Sequence, residues 1–197
     1  MEKHVLGLEL PTDPRWVNIA EKNIEEILID HAYCEQKAAS SGISFIVQFP
    51  EKEKMVEMIT PLVAEEWNHF ERVMEQLKKR GMKLGPKRKD EYVDQLLKII
   101  IQGGSRDHQL VERLLIHALI EARSCERFRL LSKEISDPEL SQFYHELMVS
   151  EAGHYKLFLS LAKEYMEEEI VMKRWREMLD QEAEIVKKLE VRGDRIH

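Results

Sequence analysis

Glu66-Trp67-Asn68-His69 is the stretch on which the reading of this chain turns, and Glu151-Ala152-Gly153-His154 answers it. A lone Glu precedes each pair: Glu35 lies 31 residues before Glu66, and Glu121 lies 30 residues before Glu151. Glu121 follows Glu35 by 86 residues and His154 follows His69 by 85, so the chain carries two copies of one unit. On a helix, residues three apart share a face. A Glu-x-x-His pair therefore aims a carboxylate oxygen and an imidazole nitrogen at one point.

Spacing alone proves little. With 29 Glu and 8 His in 197 residues, chance places about one such pair, and most sit on solvated faces. The surroundings set these apart. Glu66 and His69 continue the row Ile59, Leu62, Val63, which resumes at Val73 and Leu77. Glu151 and His154 lie between Leu147 and Phe158. Glu35 falls between Leu28, Ala32 and Ala39, Gly42, and Glu121 between Leu114, Ala118 and Cys125, Phe128. All six groups interrupt apolar seams at helical spacing. Four carboxylates in a core without counter-charge would be prohibitive. Two divalent cations neutralise them, and a Glu from each of two helices plus a Glu-x-x-His from each of two others is the ligand set of di-iron and di-manganese bundles.

Composition is consistent with this. A chain of 197 residues fits one domain, 1–197, with a full core. Hydrophobic content of 43% and charged content of 34%, with 8 Gly and 6 Pro, suit long helices. No run of about 18 uncharged apolar residues is present, so no membrane span is expected. Residues 1–10 lack the apolar core of a signal peptide. Cys34 and Cys125 form no Cys-x-x-Cys, which argues against a disulfide scaffold, a zinc ribbon or an appended rubredoxin-type iron site, and points to a reducing cytoplasm.

In chain order, helix A is expected from Asp13-Pro14, Asp as cap and Pro as first helical residue, to Pro50. Helix B is expected over 51–80, kinked at Pro61 and capped by Gly81. A loop at 81–90 and a short helix over 92–101 lead to helix C at 105–134. Asp137-Pro138 opens helix D, through about Met166, and a last helix over 168–189 packs outside the bundle. Short A–B and C–D links imply antiparallel neighbours, and the long B–C link is a crossover. The expected fold is all-α: a ferritin-like four-helix bundle with an extra C-terminal helix.

His31 and His117 each precede a lone Glu by four residues, one turn away, where an imidazole can support a carboxylate. Glu126 competes with Glu121 as the helix C ligand, and the repeat spacing favours Glu121. A different signal lies in Lys78, Lys79, Arg80, Lys83, Lys87, Arg88 and Lys89: seven cations in twelve residues without an acid, in a chain of net charge −7. Such a segment suits a polyanion, and equally a solvated helix end. Arg123 and Arg127 are further cations, for which ion pairs with nearby Glu are the expected role.

Four segments carry a resemblance to a known family: Asp30-His-Ala-Tyr-Cys-Glu-Gln-Lys-Ala-Ala39, Glu65-Glu-Trp-Asn-His-Phe-Glu-Arg-Val73, Ile120-Glu-Ala-Arg-Ser-Cys-Glu-Arg-Phe128 and Ser150-Glu-Ala-Gly-His-Tyr155. The chain resembles the tRNA hydroxylases acting on 2-methylthio-N6-isopentenyladenosine, over nearly its whole length. The stretch from Glu121 to Phe128 is the most specific part, whereas Glu-x-x-His pairs are shared by all ferritin-like di-iron families. Arg192 to His197 matches only loosely. The resemblance implies a non-haem di-iron monooxygenase that modifies the isopentenyl group of tRNA with dioxygen and two electrons. It implies two iron ions held by Glu35, Glu66, His69, Glu121, Glu151 and His154, the tRNA anticodon loop as partner, and an unidentified reductase as external electron donor. The alternatives are a ferroxidase or peroxidase of the same fold without an RNA substrate, and a metal-free helical interaction protein.

Overall fold

The structure, a computed structural model, describes residues 5–196. The expected lead-in therefore falls partly outside the described residues, as does His197. Seven α-helices and two short 3-10 turns, at Val5–Gly7 and Leu97–Ile99, make up the regular structure, and no strand occurs among the described residues. The helices are α1 (Arg15–Glu21), α2 (Ile24–Gln48), α3 (Glu53–Lys79), α4 (Glu91–Leu96), α5 (Arg106–Glu134), α6 (Pro138–Tyr165) and α7 (Glu168–Lys188). No helix among the described residues is long and apolar enough to cross a membrane.

The local signals act where short side chains reach the free amides of a helix start. Asp137 Oδ1 accepts from Glu139 N at 2.9 Å and Leu140 N at 3.1 Å, ahead of Pro138. Ser105 caps α5 through His108 N at 3.1 Å, and Asp90 caps α4 through Val93 N at 3.1 Å. Gly81, at φ 70°, ends α3: Gly81 N donates to Lys78 O and Met82 N to Leu77 O, the paired closure that needs a left-handed residue. The chain runs helical through Pro61 without a break.

One boundary departs from expectation. Helix A is two helices, α1 and α2, separated at Lys22-Asn23. Asn23 has φ −129° and ψ 38°, outside the helical region, and its Nδ2 donates to Ile19 O at 2.7 Å. An amide side chain that satisfies a terminal carbonyl offers the backbone an alternative to continuing the helix.

The described residues divide into two compact units, residues 18–89 with 192–196, and residues 5–17 with 90–191. In the first, α2 and α3 form a hairpin across residues 49–52. Gly42 lets them approach: a Cβ there would lie 2.5 Å from Val63 Cγ2 and 3.5 Å from Ile59 Cγ2. Residues 192–196 bind back to α2, with Ile196 N donating to the buried Asp30 at 2.8 Å.

In the second unit, α5 and α6 form the corresponding hairpin. Cys125 Sγ meets Met148 O at 3.4 Å, and the rings of Phe128 and Tyr144 lie 5.4 Å apart, so the pairing climbs one helix as it descends the other. The last helix, α7, packs on α5, α4 and α6 through a buried face of Val171, Trp175, Met178, Leu179, Glu182 and Ala183. Its charges are not all solvated. Arg174 binds Glu112 of α5 at 2.7 and 2.9 Å. Glu182, fully buried, binds Arg123 of α5 through three contacts of 2.7–3.0 Å.

Candidate metal centre

Each unit brings together one set of the expected ligands. In the first, Glu35 comes from the middle of α2, and Glu66 and His69 from the middle of α3. Their exposures are 4%, 2% and 3%, and each offers a ligand atom within 4.8 Å of the others. His69 Nδ1 stands 3.6 Å from Glu35 Oε2 and 3.6 Å from Glu66 Oε2. That is longer than a hydrogen bond. It is close to the spacing of two donors that share one ion at about 2.1 Å each, which is roughly 3–3.5 Å. His31, fully buried, places Nε2 2.6 Å from Glu35 Oε1, the arrangement by which an imidazole orients a carboxylate.

In the second unit, Glu121 comes from α5, and Glu151 and His154 from α6. All three are buried, and again each offers a ligand atom within 4.8 Å of the others. His154 Nδ1 lies 3.2 Å from Glu151 Oε2, and Ser150 Oγ lies 3.5 Å from His154 Nε2. His117 Nδ1 binds Arg113 O at 2.8 Å, and its ring lies 5.4 Å from that of Phe158. Burial pulls its pKa below the ordinary imidazole value.

The donor set fits a pair of divalent cations. Four carboxylates and two imidazoles supply hard oxygen and intermediate nitrogen donors, the combination that suits iron or manganese. Four buried carboxylates without cations would carry a desolvation cost far above any hydrogen bond available to them.

Glu126 sits elsewhere. Its Oε1 accepts from Thr12 N at 2.9 Å; its Oε2 accepts from Thr12 Oγ1 at 2.6 Å and from Arg123 Nη1 at 2.5 Å. Arg123 is fully buried and joins Glu126, Glu182, Thr12 and Leu10 O, the ion-pair role expected for it. Arg127 lies over the Trp16 ring at 4.9 Å.

In the basic segment, Lys78, Lys79, Lys83, Lys87 and Lys89 are exposed. Arg80 is half-buried and binds Gln76 Oε1 at 2.5 Å. Arg88 pairs with Glu26 and lies 3.5 Å from Asp194. The segment is fastened to its own unit: Tyr33 Oη donates to Gly85 O at 2.8 Å and Arg195 Nε to Lys89 O at 3.3 Å. Sequence reasoning missed this fastening, because Asp194 and Glu26 lie 106 and 62 positions from Arg88 and no periodicity links them.

Residues 1–197 match the family tRNA-(MS[2]IO[6]A)-hydroxylase (MiaE). The chain belongs to this family. Among curated relatives, MiaE-family similarity extends to the tRNA 2-(methylsulfanyl)-N(6)-isopentenyladenosine(37) hydroxylase of Pseudomonas putida, 40% identical over 164 residues, covering 82% of this chain and 77% of that protein. The hydroxylase of the same name from Salmonella typhimurium is 26% identical over 215 residues, covering 83% and 77%. Among solved structures, a Synechococcus protein described as having aldehyde deformylating oxygenase activity superposes with a TM-score of 0.91 at 33% identity, covering 96% of this chain and 94% of that one. The fold of this MiaE-family chain is all-α and ferritin-like.

Proposed function

We propose that this protein is a two-iron tRNA hydroxylase that acts on the isopentenyl side chain of 2-methylthio-N6-isopentenyladenosine. The observation that carries the reading is the pair of buried Glu, Glu, His sets in a chain of this family. In this reading Glu35, Glu66, His69, Glu121, Glu151 and His154 would hold two iron ions. Bound iron would supply the redox chemistry by which one atom of dioxygen enters a C–H bond and the other leaves as water, with two electrons from an external donor.

The chain's own residues do the rest. The four carboxylates would balance the charge of two divalent ions. His31 holds Glu35 in orientation. Burial of all six ligands excludes bulk water, which protects a reactive centre from side reactions. The target adenosine belongs to the single-stranded anticodon loop, where a base can be splayed out of its stack and presented to a protein pocket. The exposed Lys78, Lys79, Lys83, Lys87 and Lys89 would meet tRNA phosphates, whereas Arg80 and Arg88 would shape the segment that carries them.

The decisive experiment combines metal analysis with product analysis. The protein is purified without oxygen and its iron counted. Reductant, dioxygen and isopentenylated tRNA are then supplied, and the digested nucleosides weighed. Two irons per chain and a nucleoside heavier by one oxygen are expected. Two irons with unmodified tRNA would move the assignment to a ferroxidase, a peroxidase or another oxygenase chemistry on this fold. Failure to bind metal after reconstitution would overturn the reading altogether.

A further inference from the structure

Trp67 lies between two candidate ligands in sequence yet faces outward. It is 47% exposed, while Glu66 is 2% exposed. The other two tryptophans, Trp16 and Trp175, are buried at 1% and 3%. An isolated surface aromatic needs no explanation, but this one is not isolated. Its ring centroid lies 4.9 Å from that of Phe70, tilted by 35°. At about 100° per residue, Trp67, Met74 and Lys78 fall within about 40° of one another around α3, with Phe70 on one flank and the exposed Glu71 on the other. The row is about 16 Å long at about 1.5 Å per residue. It begins beside Glu66 and ends in the basic segment. Val63, one turn before Trp67, packs against Gly42 of α2, so the row runs along the edge of the α2–α3 hairpin. Tyr33 of α2 binds the same basic segment at Gly85.

An aromatic platform continued by exposed lysines is the surface that single-stranded nucleic acid prefers. Every base has a face that stacks, and every phosphate a charge to be met. The complementarity is strong here, because the cations sit on a chain that is otherwise acidic. We propose that this row is a docking track for unpaired nucleotides of the tRNA loop, in which Trp67 stacks on a base flanking the target while Lys78, Lys83 and Lys87 meet phosphates. The inference rests on the hydroxylase reading for the identity of the RNA. It adds a specificity residue that contacts RNA without ligating metal, and it assigns Arg88, paired to Glu26 and Asp194, no phosphate.

The test uses the full iron-loaded chain and an unmodified anticodon stem-loop RNA, with binding read by anisotropy and by tryptophan emission. RNA should quench the emission of the wild type, because Trp67 is the exposed indole. Trp67→Ala should weaken binding about tenfold, and Trp67→Phe, which keeps a stacking face, should stay within about threefold. Trp67→Ala should leave the salt dependence unchanged, whereas Lys83→Gln with Lys87→Gln should flatten the slope of log K against log salt by about 1.4. With isopentenylated tRNA, Trp67→Ala should raise KM about tenfold and leave kcat within about twofold. Wild-type affinity in Trp67→Ala, or equal losses in Trp67→Ala and Trp67→Phe, would overturn the stacking role. Product formation is read separately from binding. A wild type that hydroxylates tRNA with Trp67 dispensable refutes the track alone. Quenching and the Ala–Phe difference without any product keep the RNA surface and refute the hydroxylase assignment.

Discussion

Replacing Arg123 with Met tests whether the fully buried guanidinium is the electrostatic fastener of α5, the helix that carries Glu121. Arg123 donates to Glu182 through Nε at 3.0 Å and Nη2 at 2.7 and 3.0 Å, to Glu126 at 2.5 Å, to Thr12 Oγ1 at 3.1 Å and to Leu10 O at 2.9 Å. Burial by itself works against its charge. The neighbouring Tyr92, Glu182 and Glu126 outweigh burial and hold it protonated, its pKa raised above the ordinary value. Methionine keeps the apolar stem and removes every donor. Glu182 at 0% exposure would then keep the Tyr92 hydroxyl at 3.0 Å as its remaining donor among these. Breaking one side of a buried ion pair costs about 3–5 kcal/mol. At about 2–4 °C per kcal/mol for a chain of this size, the melting temperature should fall by roughly 6–20 °C. Removing both charges, with Arg123→Met and Glu182→Met together, should recover part of the loss, because Glu182 is no longer a buried charge without its cation while Glu126 still lacks Arg123. The assay is thermal and urea unfolding of the metal-free protein, followed by circular dichroism and by tryptophan emission. A single variant melting within about 2 °C of wild type, or a double variant no more stable than the single, would refute the reasoning.

Other consequences follow from the same contacts. Glu66→Gln should raise the melting temperature of the metal-free protein, because it removes one of the buried carboxylates, and should lower that of the iron-loaded protein while reducing bound iron below two per chain; a change of the same sign in both states would refute the metal site. Gly42→Ala should cost about 1–3 kcal/mol, because the new methyl meets Val63 Cγ2 at 2.5 Å, and Val63→Ala in the same chain should recover most of it in urea unfolding. Burial, reinforced by the charge of Glu151, pushes the Cys125 thiol up to about 12, so at pH 8 iodoacetamide should label the half-buried Cys34 and spare Cys125 until urea is added, as read by peptide mass spectrometry.

The sequence by itself determined the four long helices and the six candidate ligands, because both follow from local rules. A carboxylate or imidazole inside an apolar seam is visible as a break in a 3.6-residue period, and two such breaks repeated about 86 residues apart are visible as an offset. The start signal at Asp137 and the cap at Gly81 were legible for the same reason: each acts on amides or carbonyls within a few residues of itself. The break at Asn23 escaped that reading. The apolar rows on its two sides run almost in phase, and the side chain that interrupts the helix does so by a hydrogen bond to Ile19 O that spacing does not reveal.

Only the tertiary structure decided which charges are buried and by what. Glu182 read as an ordinary member of a charged helix, yet it is fully buried together with Arg123, because α7 lays its apolar face over that part of α5. Arg88 read as one cation among seven, yet Glu26 and Asp194 reach it from distant parts of the chain. Trp67 gave no sign in sequence that it faces water while its neighbour Glu66 faces the core. Helical periodicity ranks the faces of one helix. Which face meets a partner, and which cation meets a carboxylate, depends on elements that sequence distance does not relate. That is why candidate ligands could be proposed from the chain and their electrostatic surroundings could not.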